Sequence, residues 1–174
     1  MLTTAVCERT EDRRVTMMAG GQEGFFFSRV KYPGMFGGVG ACKTFTGLHK
    51  TIDIVETYPG AAFLATEPTA RMVEDVLIPT IRQEIGSVEN TAWRLEGSPG
   101  ARDIRWHNGS VIRLRSALLM TPDYLSGQFL AAFWMDEVAL GDQERTFRNL
   151  QERLRQPGDY PCLLYTSPSP RDRS

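Results

Sequence analysis

Apolar residues recur along this chain with two different periods, and the alternation between them predicts its elements. From Lys43 onward Phe45, Leu48, Ile52 and Val55 stand three or four apart, the spacing of one helical face. Residues 61–65 then form a compact apolar run of strand length. After it, Thr69 can cap a helix carrying Met72, Val73, Val76, Leu77, Ile81 and Ile85, which Pro79 is expected to kink or end. Residues 130–135 are continuously apolar, as in a parallel strand covered on both faces. A last helix with Phe147, Leu150 and Leu154 is expected to stop at Pro157-Gly158. Upstream, residues 32–36 make a short strand candidate that runs into a glycine-rich stretch. Strands and helices alternating in this order predict an α/β domain whose mainly parallel sheet is flanked by helices.

One segment departs from that alternation. Residues 91–95 and 103–115 read as strands, and Asn108-Gly109 is the strongest short-range hairpin signal. A two-residue turn there would place Ile104 opposite Arg113, a mixed face, so a β-hairpin insertion is predicted with its register open. Arg102, Arg105, Arg113 and Arg115 make it basic. A solvated face is the ordinary explanation, and contact with a phosphate backbone is the alternative. Trp93, Trp106 and Trp134 read as packing residues.

The two ends differ from the middle. Residues 1–21 are polar and close on Gly20-Gly21, a loosely ordered lead-in by expectation. From Cys162 the chain turns proline-rich and loses its period. Read back into codons, residues 162–174 resemble the adapter of transposase-based sequencing libraries, so they are expected to be a non-native scar that truncates the frame. A Pro/Ser-rich linker is the alternative. The domain proper is thereby placed at residues 22–161.

Composition narrows the function classes. At 174 residues the chain holds one α/β core, and 41% hydrophobic with 24% charged residues is the balance of a folded globular domain. With a net charge of −1 a wholesale electrostatic grip on nucleic acid is not read from the balance, and any DNA contact is expected to be local or on parts outside this chain. No stretch approaches the roughly 20 apolar residues of a membrane span, and the start lacks a secretory signal, so a cytosolic location is expected. Cys7, Cys42 and Cys162 lack CxxC spacing, and with only His49 and His107 beside them they indicate neither a zinc site nor a disulfide framework.

The chemistry lies in two motifs. Gly37, Gly38, Val39, Gly40, Ala41, Cys42, Lys43 and Thr44 match the phosphate-loop template G-x-x-x-x-G-K-[ST] except at Cys42, where the template has glycine. Such glycines let backbone N–H groups turn inward around phosphate oxygens. The following helix N-terminus adds partial positive charge, Lys43 reaches the β and γ phosphates, and the Thr44 hydroxyl can ligate Mg²⁺. Cys42 is tolerable with φ below zero, the expectation for a first helical turn. An ordinary glycine turn before a helix is the bland alternative. The second motif is the apolar run 130–135 ending in Asp136 and Glu137. At the carboxyl end of a parallel strand Asp136 would hold the Mg²⁺ that Thr44 touches, and Glu137 would orient or deprotonate an attacking water. An acid pair after a strand is otherwise a loop or a helix cap. Together the motifs describe in-line hydrolysis of a nucleoside triphosphate by a P-loop NTPase.

From Gln22 to about Pro161 the chain resembles the large terminase family. The stretches are Phe26-Phe27-Ser28, Ala65-Thr66-Glu67-Pro68-Thr69, Asn108-Gly109-Ser110-Val111-Ile112, Leu125-Ser126-Gly127, Asp136-Glu137-Val138-Ala139 and residues 150–155. The resemblance implies an ATP- and Mg²⁺-dependent motor that packs double-stranded DNA into a procapsid through the portal protein. A small terminase subunit, a homo-oligomeric ring and a place at the portal in the host cytoplasm follow from it, with no membrane involved. It also implies that Gln22 reads adenine, that a coupling strand begins near Cys162, and that the family's nuclease domain is absent. Val39 stands where many members carry Arg. Arg71, Arg94, Arg145, Arg153 and Arg155 are the remaining candidates for a phosphate sensor or a partner in trans, against the plainer reading of solvated arginines. A helicase-like or replication-associated ATPase, and a nucleotide-binding but inactive fragment, are the competing readings.

Overall fold

The computed structural model describes residues 4–8, 14–38, 40–86, 92–138, 143–158 and 163–167. The expected α/β architecture is present. A six-stranded sheet has the order β4-β5-β6-β3-β7-β8, where β3 is Ala62–Glu67, β4 Trp93–Ser98, β5 Ala101–Trp106, β6 Val111–Ser116, β7 Ala132–Asp136 and β8 Leu163–Ser167. Strands β6, β3, β7 and β8 run parallel, while β4 and β5 extend one edge antiparallel. Among the described residues no helix is long and apolar enough to cross a membrane.

Both faces of the centre are covered, which explains the unbroken apolar runs of β3 and β7. On one face Phe63, Ala65, Ala132 and Trp134 meet Leu48, Ile52 and Val55 of helix α2, Lys43–Thr57. Leu64, Phe133 and Met135 point the other way, to Leu125, Leu130 and Leu150. Leu150 belongs to the last described helix, Gln143–Gln151. Chain direction and period-2 alternation therefore put α2 over β3 and β7, with its N-terminus at their carboxyl ends.

Helix α2 comes unusually close to the sheet. A Cβ on Gly47 would lie 2.5 Å from Cε2 of Trp134, whose side chain is 1% exposed and has no room to move.

Several expectations are corrected. Residues 32–36 form no strand, only an isolated bridge at Gly34, because Pro33 cannot donate to a ladder and glycine is a poor strand former. Within the lead-in, β1 (Thr4–Glu8) and β2 (Arg14–Met18) pair antiparallel, and Val15 and Met17 pack on Phe26 of α1, Gly21–Phe27. Val-Thr-Met carries the alternation that builds this hairpin.

Thr69 does cap the next helix, its hydroxyl accepting from Met72 N–H, yet Pro79 does not end it. Ala70–Met72 continues into a π turn, Val73–Leu77, and then into Ile78–Ile85. The Ile78 amide bonds to Val73 O, five residues back, and this local widening of the helix accommodates the proline ring, which has no N–H to donate and would crowd the carbonyl of the preceding turn. The last helix stops at Gln151, six residues before Pro157. Beyond it the chain lies along Leu130, which exchanges hydrogen bonds with Arg153 O and Gln156 N–H, and the Gln156 amide bonds Ala62 N–H and Gly60 O at the start of β3.

The hairpin insertion is present with a different register. Trp106, rather than His107, closes the loop: Gly109 N–H donates to Trp106 O and Trp106 N–H to Ser110 O. Gly109 adopts φ 86°, so the connection is a three-residue loop with a left-handed third residue. Ile104 consequently faces Ile112 and Asp103 faces Arg113, which resolves the mixed face. Cohesion of Ile104 and Ile112 under the α2 side of the sheet outweighs the two-residue turn preference.

Residues 163–167, expected to fall outside the native fold, form β8 in parallel register with β7. Leu-Leu-Tyr-Thr is strand-favouring, and the free edge of β7 accepts any such segment whatever its origin.

The close approach of Gly47 yields a paired prediction. Gly47→Ala gains helix propensity of up to ~1 kcal/mol, but overpacking against Trp134 costs about 1–3 kcal/mol, so the urea midpoint should fall. In Gly24→Ala, where an added Cβ meets nothing within 4 Å, only the propensity gain remains and the midpoint should rise.

Candidate functional site

Three sheet-end elements converge at the start of α2. The glycine segment before it is tight: Ala41 N–H donates to Gly38 O, Gly40 has φ 82°, and a Cβ on Gly37 would stand 2.8 Å from that of Ala41. Val39 lies outside the described residues. Lys43, 8% exposed, folds back so that its ammonium donates to Gly37 O at 3.1 Å and Gly38 O at 3.2 Å. The cation thus sits on the rim of the loop, held by two carbonyls.

Cys42 departs from expectation. It adopts φ 51° and ψ 36°, the left-handed region, rather than a helical φ. The reason is its place: as the N-cap its carbonyl already accepts from Thr46 N–H, while its own backbone must still turn the loop into the helix. Glycine would do this without a Cβ clash; an ordinary residue there costs about 1–3 kcal/mol. Among the described residues the only other non-glycine with positive φ is Glu137, at 47°. One left-handed residue therefore stands in each motif.

The two motifs, 92 positions apart in sequence, touch. Thr44 Oγ1 donates to Asp136 Oδ2 at 2.6 Å, and Asp136 is 2% exposed. The other carboxylate oxygen of Asp136 accepts from Glu137 N–H at 2.9 Å, which holds the acid pair in its turn. Gln22 also reaches the loop. It is 5% exposed, its Oε1 accepts from Met18 N–H, and its Nε2 donates to Ala41 O. Its amide thereby ties β2 to the glycine segment. Lys50 secures the helix that carries Gln22, donating to Phe25 O, Phe26 O and Ser28 O.

Glu67 is the residue that sequence reading did not assign to the site. It ends β3 as Asp136 ends β7, and it is 1% exposed. Burial, together with the negative charges of Asp136 and Glu137, pushes its carboxyl well above the usual carboxylate range. The signal was available: an acid closing an apolar strand run is the same pattern that singled out Asp136.

The basic hairpin is largely neutralised from within. Arg102 pairs with Glu74, Arg105 with Glu96, and Arg115 with Asp103, while Arg113 donates to Gln128. Alternation also puts Arg102 on the opposite face from the other three, so no single basic surface is formed. Burial pushes the Arg113 guanidinium down from its ordinary value, with the neighbouring Asp103 opposing the shift. Arg71 and Arg94 are exposed and pair with Asp75 and Glu96, and the Arg155 guanidinium lies over the Phe129 ring. Arg145 is exposed on the last helix.

The strain at position 42 is testable. Relief of about 1–3 kcal/mol against the roughly 0.5–1 kcal/mol entropic cost of glycine means that Cys42→Gly should stabilise the fold by about 1 kcal/mol. A urea midpoint that falls instead would show that position 42 has a helical φ in solution.

Sequence comparison finds no match: no protein-family profile fits the chain, and no curated protein matches it. Solved structures do match in fold. The large terminase of a thermophilic bacteriophage superposes with a TM-score of 0.66 at 16% identity, over 85% of this chain and 38% of that one. Another structure of that protein is a complex with ADP, with a TM-score of 0.63. The large terminase ATPase domain of Thermus phage P74-26 gives 0.56 at 18% identity, over 86% of this chain and 64% of that one. The N-terminal domain of the bacteriophage phi29 DNA-packaging ATPase gives 0.57 at 10% identity, over 86% and 77%. The chain thus spans well under half of the first of these proteins, and its fold is that of the ATPase domains of phage DNA-packaging proteins.

Proposed function

We propose that this domain binds and hydrolyses ATP, and that it does so as the ATPase part of a phage DNA-packaging motor of the large terminase type. The observation that carries the reading is the Thr44–Asp136 hydrogen bond, which joins the end of a glycine loop to the acid ending a neighbouring strand. An ATPase of this kind needs a hydroxyl and a carboxylate side by side at that point.

The residues fit a hydrated divalent cation. Thr44 and Asp136 would hold Mg²⁺; among the described residues no group of three His, Cys, Asp or Glu is arranged to hold a metal alone. Mg²⁺ keeps several waters and takes one or two carboxylates together with phosphate oxygens, a demand that one hydroxyl and one carboxylate can meet. When bound, it would supply the positive charge that neutralises the departing diphosphate.

The chain's own groups do the rest. Loop N–H groups and the N-terminus of α2 receive the phosphates, and Lys43 exchanges its two carbonyl partners for β and γ oxygens. Glu137 accepts a proton from the attacking water as its oxygen bonds to the γ-phosphorus and the bond to the β-phosphate oxygen breaks, releasing ADP. Gln22 holds the loop in register through Ala41, and the second proton of its amide is the one that would reach adenine. A nucleotide-binding but inactive domain is the second reading, favoured by the left-handed Cys42.

In the full-length setting the partners are double-stranded DNA, a portal protein, a small terminase subunit and further copies in a ring, at the procapsid portal in the host cytoplasm. This step rests on likeness of fold. The internally paired hairpin arginines argue that DNA is gripped elsewhere.

Equilibrium binding of ATP with Mg²⁺ and steady-state hydrolysis test the reading. Lys43→Ala should abolish measurable binding, whereas Glu137→Ala should keep binding within a few fold and lose turnover by about 100-fold or more. Binding without turnover in the unaltered protein would select the inactive reading; a folded protein that binds no nucleotide overturns both.

A further inference from the structure

Glu67 is 1% exposed, and its Oε2 has no hydrogen-bond partner among the described residues. A carboxyl oxygen so deeply buried normally has a hydrogen-bond partner, so an unpartnered one at a sheet end points to a group the protein does not itself supply. Alternation fixes where it points. Phe63 and Ala65 pack on the α2 side of the sheet, as do Ala132 and Trp134, and the register pairs Phe63 with Ala132 and Ala65 with Trp134. Glu67 and Asp136, two residues further along each strand, therefore project from the same face at the same end, toward the α2 terminus where Thr44 bonds Asp136.

Charge supports the same conclusion. Three acids, Glu67, Asp136 and Glu137, gather at this end, while the neighbouring cation, Lys43, is turned to the carbonyls of Gly37 and Gly38. Three acids in low-dielectric surroundings ionise together only beside a compensating positive charge, and a hydrated divalent cation brings both that charge and O–H donors.

We propose that Glu67 is a positioning residue of the divalent-cation site, accepting hydrogen bonds from water coordinated to the cation that Thr44 and Asp136 hold. The proposal rests on the nucleotide-site reading above and adds to it a carboxylate that neither motif contains. Glu67 would thus help to hold the cation's water from the β3 side. Outer hydrogen-bonding partners of this kind typically change metal affinity by about 10- to 100-fold.

Mn²⁺ serves as the probe, its free concentration read by electron paramagnetic resonance during titration of the full chain without nucleotide. Glu67→Gln keeps the size of the side chain and removes its ability to ionise; it should weaken Mn²⁺ affinity by about 10-fold, and Glu67→Asp should recover part of the loss. Melting in excess chelator checks folding, and removal of a crowded acid predicts a Glu67→Gln protein no less stable than the parent. Asp136→Asn is the reference for the site itself. If Asp136→Asn abolishes Mn²⁺ binding and Glu67→Gln binds as the parent does, Glu67 is only a buried acid and the proposal falls while the site reading stands. If Asp136→Asn binds Mn²⁺ unchanged, the site reading fails and the proposal with it. Should Glu67→Gln not fold, the Glu67→Asp titration decides, unchanged affinity overturning the proposal.

Discussion

The contact between Gly47 and the Trp134 indole sets the distance on which the site depends. Trp134 is immobilised in the centre of the sheet, and only a residue without a Cβ lets helix α2 come down onto it. Thr44 lies three residues before Gly47 on the helix, and Asp136 two residues after Trp134 on the strand. Lowering the helix at one point thus brings hydroxyl and carboxylate within hydrogen-bond reach at the next. Close packing transmits this constraint because neither a helix nor a fully buried strand deforms easily.

Around that contact the protein holds groups in conformations that their local sequence does not favour. Cys42 and Glu137 take left-handed backbones, Lys43 is buried against carbonyls, and Glu67 is buried beside two other acids. Each is unfavourable alone, and all four lie at the same sheet end. Strain and crowded charge of this kind persist only where the surrounding scaffold over-determines them. The scaffold here is strong: β3 and β7 are covered on both faces, Lys50 locks α1 onto α2 with three hydrogen bonds, and Gln22 ties the loop to β2.

The arginine-rich hairpin shows how misleading a linear charge pattern can be. In sequence Arg102, Arg105, Arg113 and Arg115 look like one basic element. In space Glu74, Glu96 and Asp103 neutralise three of them, and Arg102 is on the other face of the sheet. Ser110 and Asn108 at the hairpin tip bond to the carbonyls of Val55 and Tyr58 at the end of α2, so the hairpin braces the central helix. Its observed role is structural.

The elements themselves were legible in the sequence. Helix α2, strands β3 and β7, the Thr69 cap and the glycine loop with its Lys and Thr follow from periodicity, capping chemistry and spacing, all of which are local. What lay beyond reach was decided by contacts between distant residues. The hairpin register moved by one because Ile104 and Ile112 share a buried face; the last helix ended early because the chain had to pair with Leu130; the helix passed Pro79 because a π turn absorbed it. Cys42 became left-handed because the loop must meet a helix already pinned to Trp134. Glu67 joined the site because β3 lies beside β7, a neighbourhood that no stretch of sequence records. Sequence determined which residues could do chemistry, since that is a property of side chains and spacing; tertiary structure alone decided which of them stand together, because separation in space is set by packing across the sheet.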